Sequence, residues 1–169
     1  RLINPFPPQN PQQPPKGLVA FCLHYTKGVI PLLMVMAVLT AGIAIMEVTL
    51  FGFLGKLVDW LSSKQPETLF QEEGHTLAFM AAIILLGLPI TVLLHASVIH
   101  QALLGNFPMR IRWQAHRYLL GQSLSFYQNE FAGRIATKVM QTALSVRETV
   151  MKLLDVLLFI SIYFIGMTL

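Results

Sequence analysis

Three titratable side chains sit inside otherwise apolar stretches: Glu47, His95 and His100. A carboxylate in hydrocarbon is costly and is a functional candidate by default. Glu47 admits a second reading: only eight residues separate it from Lys56, which would leave it wet near an interface. Imidazoles at such depth suit cavity lining or hydrogen bonding. His95 and His100 are five residues apart, not the i, i+4 pairing of a one-helix metal site, so no metal is expected. The three together are candidates for a substrate cavity. No G-x-x-x-x-G-K-[ST] phosphate loop occurs, and no nucleophile–base pair is evident. From these residues alone, the chain itself is expected not to be an enzyme.

A second set of chemical groups lies in residues 107–152. Arg134, Lys138, Gln141, Ser145, Glu148 and Lys152 step by four and three residues and line one helical face. Ile135, Val139, Ala143, Val146, Val150 and Leu153 line the opposite face, suited to packing on a neighbour. Upstream, Arg110, Gln114 and Arg117 face away from Ile111, Ala115 and Tyr118. Between these arms lies SFYQNEFAG, with aromatic Phe126, Tyr127 and Phe131 and a helix-breaking Gly133. Two rods carrying an aromatic-tipped elbow into water are expected.

The flanking elements are apolar. Of the 169 residues, 54% are hydrophobic and 12% charged, with mean hydropathy +0.61; a soluble domain carries about 25% charged residues. The fold class is therefore an all-α membrane protein. A net charge of +4 is too dispersed to suggest nucleic acid. The single Cys22 excludes an internal disulfide framework. The Pro/Gln/Asn-rich residues 1–15 read as an extended cytoplasmic tail, with a proline-rich docking ligand as the alternative. Residues 16–27 form either an interfacial helix, with Leu18, Phe21, Cys22 and Tyr25 as its apolar stripe, or the first turns of the next helix.

Residues 28–55 make a first span of roughly 42 Å, ample for a hydrocarbon core of about 30 Å. Ala37, Ala41, Gly52 and Gly55 offer small surfaces for close helix contact. A polar connection over 56–75 carries Asp59, Glu67, Glu72 and Glu73 against Lys56 and Lys64. A second span with its extension covers 76–122, kinked at Pro89 and again near Pro108. Residues 123–133 make the elbow. A third helix, 134–169, ends inside an apolar run, so a piece of a longer protein is expected. Seven Lys/Arg residues in the hairpin, against two lysines and four acids in the connection, place the N-terminus and the hairpin in the cytoplasm.

The order of a long second span, RIRWQAHRYLL, SFYQNEF and then AGRIATKVMQ resembles the transmembrane domain of exporter-type ATP-binding-cassette (ABC) transporters. The resemblance covers residues 16–169 and makes 16–27 the elbow helix. It implies that Ser125, Phe126, Tyr127, Gln128, Asn129, Glu130 and Phe131, with Gly133, Arg134 and Lys138, couple the membrane helices to a nucleotide-binding domain. Thr142 stands where relatives often carry an acid.

The resemblance further implies an ATP-driven exporter of an amphipathic or lipid-like substrate, resident in the lipid bilayer of a bacterial inner membrane. The nucleotide-binding domain lies in cis or on a partner chain, and a second half-transporter completes a homo- or heterodimer. ATP and magnesium are expected on that nucleotide-binding domain, with no cofactor on these residues; the full-length protein would be an ATP-hydrolysing translocase. A membrane signal-relay module and a secondary transporter are the alternatives.

Overall fold

The computed structural model describes residues 3–8, 12–63, 66–129 and 131–168. Among them there are helices and no strands. In chain order these are α1 (Leu18–Thr26), α2 (Ile30–Ser63), α3 (Pro66–Ala82), α4 (Leu88–Ser97), α5 (Leu104–Leu120), α6 (Leu124–Asn129) and α7 (Ala132–Thr168). The stretches Ile83–Gly87 and Val98–Leu103 are π-helical, so helix is continuous from Pro66 to Leu120. Among the described residues three helices are long and apolar enough to cross a membrane: Ile30–Ser63, Gln71–Leu120 and Ala132–Thr168. The chain is an all-α membrane protein segment.

The helices are longer than the charge pattern suggests. The polar connection expected over 56–75 is helical up to Ser63 and again from Pro66. Lys64 and Gln65 lie outside the described residues, as does the side chain of Glu67. Polar residues do not break a helix by themselves, and Pro66 falls at a first helical position, where its missing N–H costs nothing.

Pro89 follows a π-helical turn, Ile83–Gly87. A proline lacks the amide N–H and crowds the carbonyl four residues back, and a widened turn relieves that crowding. Pro108 leaves the Leu104 carbonyl without its helical donor, and the Arg147 guanidinium donates to that carbonyl at 3.3 Å. A side chain on α7 thus completes the backbone of α5.

The chain divides into two compact units, one drawn from Arg1–Val35 and Ser97–Leu154, the other from Met36–Ala96 and Asp155–Leu169. The first unit has a dense interior. Val29, Leu103, Phe107, Ile111, Ala143 and Val146 are all buried. Along α7, Ile135, Val139 and Val150 are half-buried beside Ala143 and Val146, while Arg134, Lys138, Gln141, Ser145, Glu148 and Lys152 are exposed. The apolar stripe packs as its period requires, except Leu153, which is exposed.

The second unit buries little beyond Met36, Thr40, Ala44 and Met80, and it leaves Leu54, Leu85, Leu93 and Phe164 exposed. Its close contacts do not use Gly52 and Gly55, where an added Cβ would meet nothing within 4 Å. They use Gly166, where a Cβ would sit 2.6 Å from Val48, and Gly87, 3.2 Å from the Met46 sulfur. Small residues matter where a neighbour approaches, and sequence alone does not say where that is.

Candidate functional site

Two polar constellations form within the second unit. On α2, Thr40 is buried; its hydroxyl donates to Asp155 Oδ1 of α7 at 2.6 Å and lies 3.0 Å from His95 Nε2 of α4. His95 Nε2 is 3.6 Å from the same Asp155 oxygen, too far for a hydrogen bond. Threonine has one hydroxyl proton, and it is committed to Asp155. His95 Nε2 must therefore be the donor to Thr40 Oγ1. That wiring is the reverse of a nucleophile site, in which histidine accepts the hydroxyl proton and the carboxylate holds its other nitrogen. The triangle clamps three helix segments; it does not activate Thr40.

Seven residues along α2, Glu47 accepts a hydrogen bond from the Tyr163 hydroxyl. Tyr163 stacks on Phe159 with ring centroids 4.6 Å apart and meets Phe51 edge-on at 6.5 Å. Glu47 is half-buried, so it is tied to α7 rather than simply wet. Interhelical hydrogen bonds of this kind contribute about 0.6 kcal/mol each in membranes, seldom more than about 1.7.

The third candidate, His100, is not brought to these contacts: it is exposed in the π-helical stretch Val98–Leu103 and belongs to the first unit. Among the described residues no group of three His, Cys, Asp or Glu side chains could hold a metal. Thr40, Asp155 and Tyr163 are partners the sequence did not single out. The signal was available for Asp155, a carboxylate at the edge of LLDVLLFISI eight residues before Tyr163.

The elbow is a short helix, α6, between the two arms. Ser125 Oγ lies 2.8 Å from Ser123 Oγ, and Phe126 meets Tyr127 edge-on at 5.4 Å. Tyr127 donates its hydroxyl to the Leu119 carbonyl, so it closes the hairpin on itself. Phe126 is partly exposed, Gln128 is exposed, and Phe131 is 79% exposed. Leu120 and Leu124 are also exposed, two apolar positions absent from the sequence reading. Glu130 lies outside the described residues, as does the side chain of Asn129.

Gly133 does not break the helix as expected. It lies in the first turn of α7 without positive φ, and a Cβ there would meet nothing within 4 Å. Its carbonyl accepts from the Thr137 hydroxyl at 2.9 Å. Nothing at this position demands glycine's special backbone. Arg134 and Lys138 follow on its exposed face.

The N-terminal segment is no plain tail. Ile3, Pro5 and Pro7 are buried while Asn4, Phe6 and Pro8 face outward. Arg110 of α5 donates to the Asn4 carbonyl at 2.9 Å, Trp113 Nε1 to the Pro7 carbonyl at 3.3 Å, and Arg117 to the Pro8 carbonyl at 3.0 Å. Phe6 and Trp113 meet edge-on at 5.2 Å. Proline-rich chain leaves its carbonyls unpaired and extended, and an aromatic and basic helix face reads them. The face of α5 expected to meet solvent is therefore covered, and Arg110 is only 9% exposed. A Cβ at Gly28 would meet the Arg110 guanidinium, which would have to shift. Nearby, burial pushes the Tyr25 phenol above its ordinary pKa, with Tyr118 adding to the shift.

The chain is 49% identical over 164 residues to a Haemophilus influenzae protein described as an uncharacterized ABC transporter ATP-binding protein. The alignment covers 96% of this chain. This chain is homologous to a segment of an ABC transporter protein. It spans 26% of the length of that relative. No family model matches the chain, and no solved structure matches it.

The relative's name corrects the non-enzyme expectation. That reading came from the lack of a phosphate-loop motif in 169 residues. The matched relative is named for ATP binding, which stands against that expectation. A motif search over a quarter of a relative's length does not decide the chemistry of the whole.

Proposed function

We propose that this chain supplies part of the membrane domain of an ATP-driven ABC exporter, acting with a nucleotide-binding domain and a second half-transporter. Helix α6 is the docking element. The observation that carries the reading is this six-residue helix held between two long arms, with Leu124 74% and Phe131 79% exposed. Exposed apolar anchors on a short, braced element suit the centre of an interface. Tyr127 and Ser125 brace α6, while Phe126 and Phe131, with Leu124, are the side chains offered to the partner. Gln128, Arg134 and Lys138 form the polar rim. Arg147 on the Leu104 carbonyl joins the arms, so motion at α6 moves both helices together.

The basic hairpin and the N-terminus face the cytoplasm by their Lys/Arg content, in a bacterial inner membrane. ATP with magnesium provides the energy at the nucleotide-binding domain. The cargo is amphipathic or lipid-like: the second unit's surface is mostly aliphatic and aromatic, and Glu47 and His95 are engaged in clamps between helices. His100, being exposed, is the remaining polar candidate for contact with cargo.

The test uses the full-length protein in proteoliposomes. Phe131→Ala with Leu124→Ala is expected to leave ATP binding intact and to lower substrate-stimulated ATP hydrolysis about tenfold or more, the loss expected from removing interface anchors. A cysteine placed at Gln128 should crosslink to the nucleotide-binding domain. Unchanged stimulation together with no crosslink would refute α6 as the coupling element.

A further inference from the structure

Beside the N-terminal segment, the first unit encloses a cavity of about 470 Å³, within the usual size of small-ligand sites. Four basic side chains line it: His24 and Lys27 at the end of α1, and Arg110 and Arg117 on α5. No aspartate or glutamate is among its described lining residues. Pro7 of the docked segment forms one wall, and Tyr25 and Trp113 supply aromatic surface.

Two lining side chains leave hydrogen-bonding capacity unused. Arg110 is buried, and its Nε–H has no partner among the described residues. Gln114 carries a buried Oε1 with no partner among the described residues. A buried donor or acceptor left unmade is expensive, and a built site with several is usually completed by something else. The cation set calls for an anion with several acceptor oxygens. The Gln114 oxygen calls for a donor next to that anion.

We propose that this cavity binds a phosphate ester whose alcohol portion carries a hydrogen-bond donor. Arg110, Arg117 and Lys27 hold the phosphate oxygens through charge-assisted hydrogen bonds, which favour phosphate over a single carboxylate because more acceptor oxygens are available. Gln114 accepts from a hydroxyl on the alcohol side. Lys27 stands three residues before Ile30, where the first membrane-length helix starts, so a phospholipid headgroup and a free phosphate ester can both reach the site. The inference concerns α1 and α5 only and stands apart from the transport reading.

The test is native mass spectrometry of the full-length protein after detergent exchange, with phosphatidylglycerol and phosphatidylcholine as probes. The first carries a net charge and free hydroxyls; the second has a phosphate but no donor on its headgroup. The wild type is expected to retain one phosphatidylglycerol and to release phosphatidylcholine. Lys27→Gln combined with Gln114→Leu spares the bonds that hold the N-terminal segment and should weaken retention about tenfold or more, the loss of one charge-assisted bond. Displacement by millimolar glycerol 3-phosphate would assign the site to free phosphate esters; retention in its presence assigns it to lipid. Equal retention of the two lipids with no effect of glycerol 3-phosphate, or wild-type retention by the double variant, would overturn the proposal.

Discussion

The two arms of the hairpin carry similar polar stripes and meet opposite fates. On α7, Arg134, Lys138, Gln141 and Lys152 stay exposed. On α5, Arg110 is buried and Trp113, Gln114 and Arg117 are half-buried. Periodicity is the same in both, so it cannot tell a solvated face from a binding face. What separates them is a third element, residues 3–8, whose unpaired carbonyls match the donors of α5 alone. A polar stripe is therefore a set of donors awaiting a partner, and water is only the commonest one.

The largest expected effect breaks that contrast directly. Arg110→Ala should destabilise the first unit by about 2–4 kcal/mol, from a lost charge-assisted hydrogen bond and lost packing of the long aliphatic stem. Lys152→Ala on the exposed α7 face should change stability by no more than about 0.5 kcal/mol. Denaturant unfolding of the full-length protein in detergent measures both. Equal effects would mean that the two faces are not energetically different.

A parallel contrast concerns glycines that look alike in sequence. Gly166→Ala places a Cβ 2.6 Å from Val48, and overpacking of that kind costs about 1–3 kcal/mol. Gly55→Ala meets open space and should be neutral or stabilising by up to about 1 kcal/mol through helix propensity. The same unfolding measurement ranks them, and a reversed order would show that Gly166 does not mark the close approach.

Trp113→Phe keeps a ring against Phe6 and removes only the donor to the Pro7 carbonyl. A loss of about 1 kcal/mol is expected, read as faster proteolytic release of the N-terminal segment with little change elsewhere. Release unchanged from wild type would leave the arginines as the whole attachment.

The smallest effect is at alkaline pH. The raised Tyr25 pKa means that the folded state favours the neutral phenol. Its contribution is complete below the ordinary value of 10.0 and is lost as pH rises through the folded value. Tyr25→Phe should flatten the decline of stability above pH 10, and an unaltered slope would remove Tyr25 as its source.

Much of the architecture was legible because hydrophobic length and period are local. The long helices and the packed α7 face through Ile135, Val139, Ala143, Val146 and Val150 follow from spacing alone, while residues 16–27 fitted two readings and the structure makes Leu18–Thr26 a separate helix. Less legible were the helix ends. Residues 56–63 and Gly133 carry polar or glycine signals that often stop helices, yet nothing there requires a turn. The candidate site was half legible: Glu47 and His95 stood out by charge in apolar surroundings, while Thr40 and Tyr163 are unremarkable until a carboxylate arrives beside them.

The sequence by itself determined an all-helical membrane chain with long apolar helices and an aromatic elbow between charged arms, because burial periodicity and apolar length are properties of consecutive residues. Only tertiary structure decided which polar groups meet. Thr40 reaches Asp155 across 115 residues and Asn4 reaches Arg110 across 106. Hydrogen bonds act over a few ångströms in space and carry no memory of separation along the chain.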